Sequence, residues 1–173
     1  GYQSGYTGST GLAYSVAIGF KALYTNNNSS NIAIGYKSGE DCTGTHNTFM
    51  GKEAGIEAAD VDSCVIIGSN ACIGVLDSNA DGTVAVGYGA LRDNTAGSGN
   101  TAVGYKALQE NLTGIKNTAI GYQAMDQMHA GGTQANSRDS DSNTAIGWGA
   151  MGGAWANTKT EQNTAIGVSS MAG

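Results

Sequence analysis

The residues whose spacing best suits a metal site lie in DSNADG, residues 77–82. Asp77, Asn79 and Asp81 occupy alternate positions, and Gly82 follows where a calcium loop turns sharply. The bidentate glutamate that completes such a loop is missing, because Tyr88 stands at its position. We therefore favour an ordinary polar turn over a calcium site, and predict no other metal or cofactor.

Two further patterns suggest catalysis but lack the context that catalysis needs. GWGAMG at 147–152 matches a dinucleotide-binding motif, yet no helical pattern follows it. His46 and His129 fall in different repeats without a nearby Ser or Cys, which argues against a nucleophilic triad. The fourteen acidic residues leave room for a glycosidase-type carboxylate pair, but none occupies a repeated strand position. We predict a protein that is not an enzyme, with a glycan-hydrolysing spike as the alternative.

Composition limits the classes of partner. The 173 residues include 28 glycines and no proline, and the net charge is −6. The eight Lys and Arg are scattered singly, so no basic stripe exists to neutralise the phosphates of a nucleic acid. No apolar run approaches the roughly 20 residues that span a bilayer. We expect neither nucleic-acid binding nor membrane insertion by this segment.

A short phrase recurs along the whole chain, as SVAIG at 15–19 and TVAVG at 83–87. Its middle residue is mostly alanine, and nearly all the residues on either side are β-branched, which is the alternation of a strand with two faces. We call each repeat a coil and its shared glycine the bend glycine. The bend glycines are Gly19, Gly35, Gly51, Gly68, Gly87, Gly104, Gly121, Gly147 and Gly167.

Coils this short cannot bury an apolar stripe alone, but stacking them in register buries it continuously. The sequence therefore predicts an all-β parallel β-solenoid of nine to ten coils, about 45 Å long at the spacing of paired strands. We expect strand, bend, second short strand and loop in each coil. We take the residue just before the bend glycine as a structural residue of the stack, at Ile18, Ile34, Ile67, Val86, Val103, Ile120, Ile146 and Ile166.

Three side-chain rows accompany this stack. Asparagine stands four residues before most bend glycines and predicts a ladder at the strand start. An aromatic residue follows most bend glycines, and packing in a stack is favoured over a sugar-binding platform. Cys64 and Cys72 replace core residues and are expected to be buried, while a pairing of Cys42 with either stays open.

NTAIGYQAM at 117–125 and the SVAIG phrase resemble the head repeats of YadA-type trimeric autotransporter adhesins, as also found in bacteriophage and viral tail fibres. The resemblance covers nearly the whole of residues 1–173, which we treat as one repeat domain and as a piece of a longer fibre protein. It implies a left-handed roll and a side-by-side homotrimer, in which branched residues fill each roll and the small middle residue faces a neighbouring chain.

The expected function is that of a structural and adhesive fibre segment, extracellular on a virion or a bacterial surface. Its expected partners are further copies of itself and a host-surface glycan or protein receptor. A self-assembling filament subunit is a further alternative. The long loop 126–142 and the off-register Trp155 are the best candidates for receptor contact, together with His129 and Arg138.

Overall fold

The structure, a computed structural model, describes residues 1–6, 13–25, 28, 30–74, 76, 78–126, 140–152 and 161–171. Within these ranges every named strand belongs to one parallel sheet, and each strand pairs with the next in chain order. Because consecutive parallel strands pair at every step, the chain between them travels once around a coil. The predicted β-solenoid is confirmed. The strands are β1 (Val16–Ile18), β2 (Ile32–Ile34), β3 (Thr48–Met50), β4 (Val65–Ile67), β5 (Val84–Val86), β6 (Thr101–Val103), β7 (Thr118–Ile120), β8 (Thr144–Ile146) and β9 (Thr164–Ile166).

The pairing register follows the repeat exactly as the bend glycines align it. Val16 pairs with Ile32 at the start of the sheet, and Thr118 pairs with Thr144 across the longest interval between strands. Differences in coil length are therefore taken up in the loops and leave the sheet unshifted. The described helical structure is one 3-10 turn at Ser78–Ala80.

The structure reverses the predicted orientation of the strand residues. The middle residue of each strand points into the coil, as with the fully buried Ala102 and Ala119, while Ile120 on the outside is 38% exposed. A three-residue strand alternates faces, so only its middle residue can point inward. The prediction of inward-facing branched residues is wrong for Ile18, Ile34, Ile67, Val86, Val103, Ile120, Ile146 and Ile166, which are half-buried or exposed.

The opposite wall of the core explains why the middle residue is small. Residues three and four after the bend glycine, such as Ala107 and Leu108, are fully buried and fill the space facing the strands. Where the strand carries a large residue, the facing wall carries glycine, and Phe49 lies against Gly39 and Gly55. A Cβ added to Gly39 would come within 2.7 Å of the Phe49 ring. Volume is thus conserved between the two walls.

The second short strand predicted after the bend glycine is also wrong, because a turn occupies this segment in every coil whose segment is described. Residues two and four after the glycine adopt the left-handed conformation, as Lys106 (φ 54°) and Leu108 (φ 52°) do. Their amides still bond to neighbouring coils in opposite directions: Lys106 N donates to Tyr88 O and Leu108 N to Ala124 O, each at 2.9 Å. These bonds offset the cost of left-handed non-glycine residues.

The predicted asparagine ladder is confirmed. Asn117 N donates to Asn100 Oδ1 at 2.9 Å, and Asn143 N donates to Asn117 Oδ1 at 3.0 Å. The Nδ2 group of Asn117 donates to Ser140 O at 2.6 Å, which ties the start of β7 to the loop of the next coil. Asn100, Asn117 and Asn143 are fully buried, so the ladder satisfies polar groups that water cannot reach.

The Phe49 packing can be tested by truncation. Phe49→Ala should lower the free energy of unfolding by about 3–5 kcal/mol, because it leaves a cavity between Gly39 and Gly55. Phe20→Ala is the matched control, since Phe20 lies on the outside and should cost clearly less. Urea unfolding followed by circular dichroism measures both, and equal losses would contradict the assignment of Phe49 to the core.

Candidate interaction surface

The outward residues of β1–β9 form one continuous face, which we call the outer sheet face. It consists of the first and third residues of each strand, and most of them are Val, Ile, Met or Thr. Val16, Ile32, Met50 and Ile146 are among its exposed large apolar side chains. Soluble monomers rarely expose apolar patches larger than a few hundred Å². The outer sheet face is therefore the candidate contact surface of the described residues.

Beside the outer sheet face, beyond the bend glycines, aromatic rings stack in two ladders. The first ladder is Tyr2, Phe20 and Tyr36, with ring centroids 5.7 and 5.4 Å apart. The second ladder is Tyr88, Tyr105 and Tyr122, with centroids 5.4 and 4.9 Å apart. The favoured interpretation of this row as a packing stack is confirmed, because the ring faces inside each ladder are occupied by neighbouring rings.

Sequence reasoning missed a charged cluster on the first coils. Lys21 Nζ lies 3.0 Å and Lys37 Nζ 2.9 Å from the two carboxylate oxygens of Glu40. Desolvation acts to raise the pKa of Glu40, but the hydrogen bonds from Lys37 and Lys21 outweigh it and leave that pKa lowered. The signal was weak, since Lys37 is only three residues from Glu40, whereas Lys21 lies in the preceding coil and reaches Glu40 only when coils stack.

All three cysteines are free and buried, as predicted for Cys64 and Cys72. Cys42 Sγ lies 3.6 Å from Asn47 Nδ2, on the asparagine ladder, and Cys64 takes the ladder position of the next coil. Desolvation raises the pKa of Cys42 to about 12 and that of Cys64 to about 11, and it also raises that of Cys72. These thiols act as small core residues and not as nucleophiles.

The predicted calcium site lies only partly within the residues that the structure describes. Asp77 lies outside them, and the Asp81 carboxylate accepts a 2.8 Å hydrogen bond from Asp62 N. No group of three or more His, Cys, Asp or Glu suited to a metal occurs among the described residues. The Asp77, Asn79, Asp81 site stays a prediction.

The remaining candidate residues from the sequence are the GWGAMG stretch, the two histidines, Arg138 and Trp155. The stretch 148–151 forms a turn after β8, whereas a dinucleotide site requires a helix there. His46 Nδ1 lies 2.9 Å from Thr45 Oγ1 on the surface. His129, Arg138 and Trp155 lie outside the described residues, so their receptor contact stays a prediction.

Comparison of the chain with protein-family models, curated proteins and solved structures found no match. The resemblance to adhesin heads and tail fibres therefore stays a prediction. In the part of the chain that the structure describes, no helix has the length and apolar character needed to cross a bilayer.

Burial of the cysteines predicts slow thiol chemistry. In native protein at pH 8, Cys42, Cys64 and Cys72 should react with a disulfide reagent such as DTNB far more slowly than a free thiol does, because a buried thiol resists deprotonation. In denaturant all three should react at once. Absorbance at 412 nm measures both rates, and one fast-reacting thiol in native protein would contradict its placement in the core.

The Glu40 cluster predicts a pH-dependent contribution to stability. A lowered folded pKa means that the stabilisation is present above the ordinary value of 4.5 and is lost as pH falls through the folded value. Glu40→Gln should therefore cost about 1 kcal/mol of unfolding free energy at pH 7 and progressively less below about pH 4.5.

The matched control for this cluster is Glu53→Gln, which removes the partner of the exposed Lys52. It should change unfolding free energy little at either pH, because exposed ion pairs contribute little. Urea unfolding at pH 7 and pH 3 measures both variants. A Glu40→Gln cost that does not shrink at low pH would contradict the ion-pair account.

Proposed function

We propose that the chain is a structural segment of an extracellular surface fibre, in which three copies pack side by side and present their loops to a receptor. The observation that carries the proposal is the outer sheet face, an apolar strip that follows the rod through all nine strands. The YadA-like repeat wording supports the trimer and the adhesive role.

Side-by-side packing suits this face because its rows are in register. Equivalent residues recur at each strand spacing, so a second rod in parallel meets the same side-chain types at every coil. Obligate interfaces are more apolar than ordinary protein surface, and branched residues such as Ile34 and Val103 provide that character. A closed ring of three rods leaves no copy with this face exposed.

The loops supply the display function. Coil length varies outside the strands while the register of β7 and β8 is kept, so insertions change the surface without disturbing the stack. The loops 126–142 and 152–162 contain the proposed receptor contacts His129, Arg138 and Trp155. The receptor class is a host-surface glycan or protein.

Two experiments test the assembly: a measurement of its mass, and a substitution that places one charge on the outer sheet face. Light scattering should give three times the 17.4 kDa chain mass for the unmodified protein. Ile120→Asp should yield a folded monomer, since its side chain is 38% exposed in the single chain but would be buried and unpaired between chains.

Lys116→Asp is the matched control, because it introduces an aspartate at an exposed loop residue two positions before the same strand. It should remain a trimer with native circular dichroism. A monomeric unmodified protein, or a trimer that survives Ile120→Asp, would refute packing through this face.

A further inference from the structure

The row of aromatic rings is interrupted between its two ladders. After Tyr36 the next two coils carry Lys52 and Ser69 at the aromatic position, and the rings resume at Tyr88. The exposed fraction of each tyrosine is larger where a neighbouring ring is missing. Tyr105, inside the second ladder, is 39% exposed, whereas Tyr88 at its end is 48% exposed. The face of Tyr88 that points towards Ser69 has no ring against it.

The surroundings of this free face are open and polar. Ser69 has a small side chain and stands one coil spacing, about 4.8 Å, before Tyr88, so the place of one ring is vacant. Gly89 stands beside Tyr88 at a position where most other coils carry a longer side chain, and a Cβ there would meet only Lys106 Cγ, at 3.7 Å. Lys52, whose side chain is 60% exposed, borders the vacancy on the far side.

Polar groups border the same segment of the rod. Asn70 follows Ser69, and its Oδ1 atom is enclosed without a hydrogen-bond partner. An amide oxygen with no bond to lose can accept one from a ligand at little cost. The Ser69 hydroxyl can both donate and accept a hydrogen bond, and the Lys52 ammonium can donate hydrogen bonds.

We propose that this vacancy, bounded by Tyr88, Ser69, Asn70 and Lys52, binds one pyranose residue of a neutral glycan. A sugar ring has an apolar face of C–H groups and a rim of hydroxyls, which matches one free aromatic face and a polar border. It would take the place of the missing ring and extend the stack by one step. The site rests on the proposed display role, to which it adds the ligand class.

The vacancy can be closed without disturbing the coil. Ser69→Tyr restores the ring that the row lacks, since tyrosine occupies this position in several other coils. Ser69→Tyr should leave the trimer mass unchanged and the free energy of unfolding no lower than in the unmodified protein. It should abolish sugar binding. Tyr88→Ala should weaken binding about tenfold by removing the stacking face.

Saturation-transfer NMR with cellotetraose, maltotetraose and tetra-N-acetylchitotetraose measures binding to the full chain. At least one of these should give saturation transfer that Ser69→Tyr removes. Tyr6→Ala is the matched control, because Tyr6 is an exposed tyrosine stacked on Tyr24, away from the vacancy, and it should bind normally.

Absence of transfer from all three sugars, or transfer that persists in Ser69→Tyr, would overturn the site. Light scattering on the same samples separates this failure from that of the proposed function. A trimer that binds none of the sugars refutes the site alone, whereas a monomer refutes the assembly on which the display role rests.

Discussion

The backbone hydrogen bonds between successive coils are the constraint on which this structure depends. They run through the strands, the bend and the turn that follows, so every coil must repeat nearly the same backbone path at one strand spacing. The bend glycine follows from this. Gly104 has φ 138°, and a Cβ on it would collide with the carbonyl oxygen of Gly121 in the next coil. Only glycine permits both the bend and the approach.

A fixed backbone path also fixes the volume of the core. The strand wall and the turn wall cannot move apart to admit a large residue, so Phe49 requires glycine at residues 39 and 55. In most other coils alanine on the strand accompanies leucine or methionine on the turn, as with the buried Ala119 and Met125. The compensation works across neighbouring coils and not only within one, which is expected when each side chain contacts the coils on both sides.

The sequence predicted the features that depend on repetition. Strand positions, register, the asparagine ladder and the aromatic row follow from identical residues at identical places, and the structure confirms each. Orientation was not predictable in this way, because Val-Ala-Ile alternation defines two faces without saying which one points inward. The left-handed residues were missed because Lys106 and Leu108 carry no composition signal for positive φ. The break at Ser69 is visible in the sequence, but its meaning depends on rings that stack face to face.

The inward alanine has a consequence for the whole molecule. Most strands contribute one small inward residue to the core, while each strand places two larger residues on the outside. Further hydrophobic free energy is therefore gained when the outer sheet face is covered. In the proposed trimer, folding and assembly are then linked, and the stability of the rod depends on the concentration of its copies. The same arrangement keeps the aromatic row and the loops outside the sheet, where they remain free to differ from coil to coil.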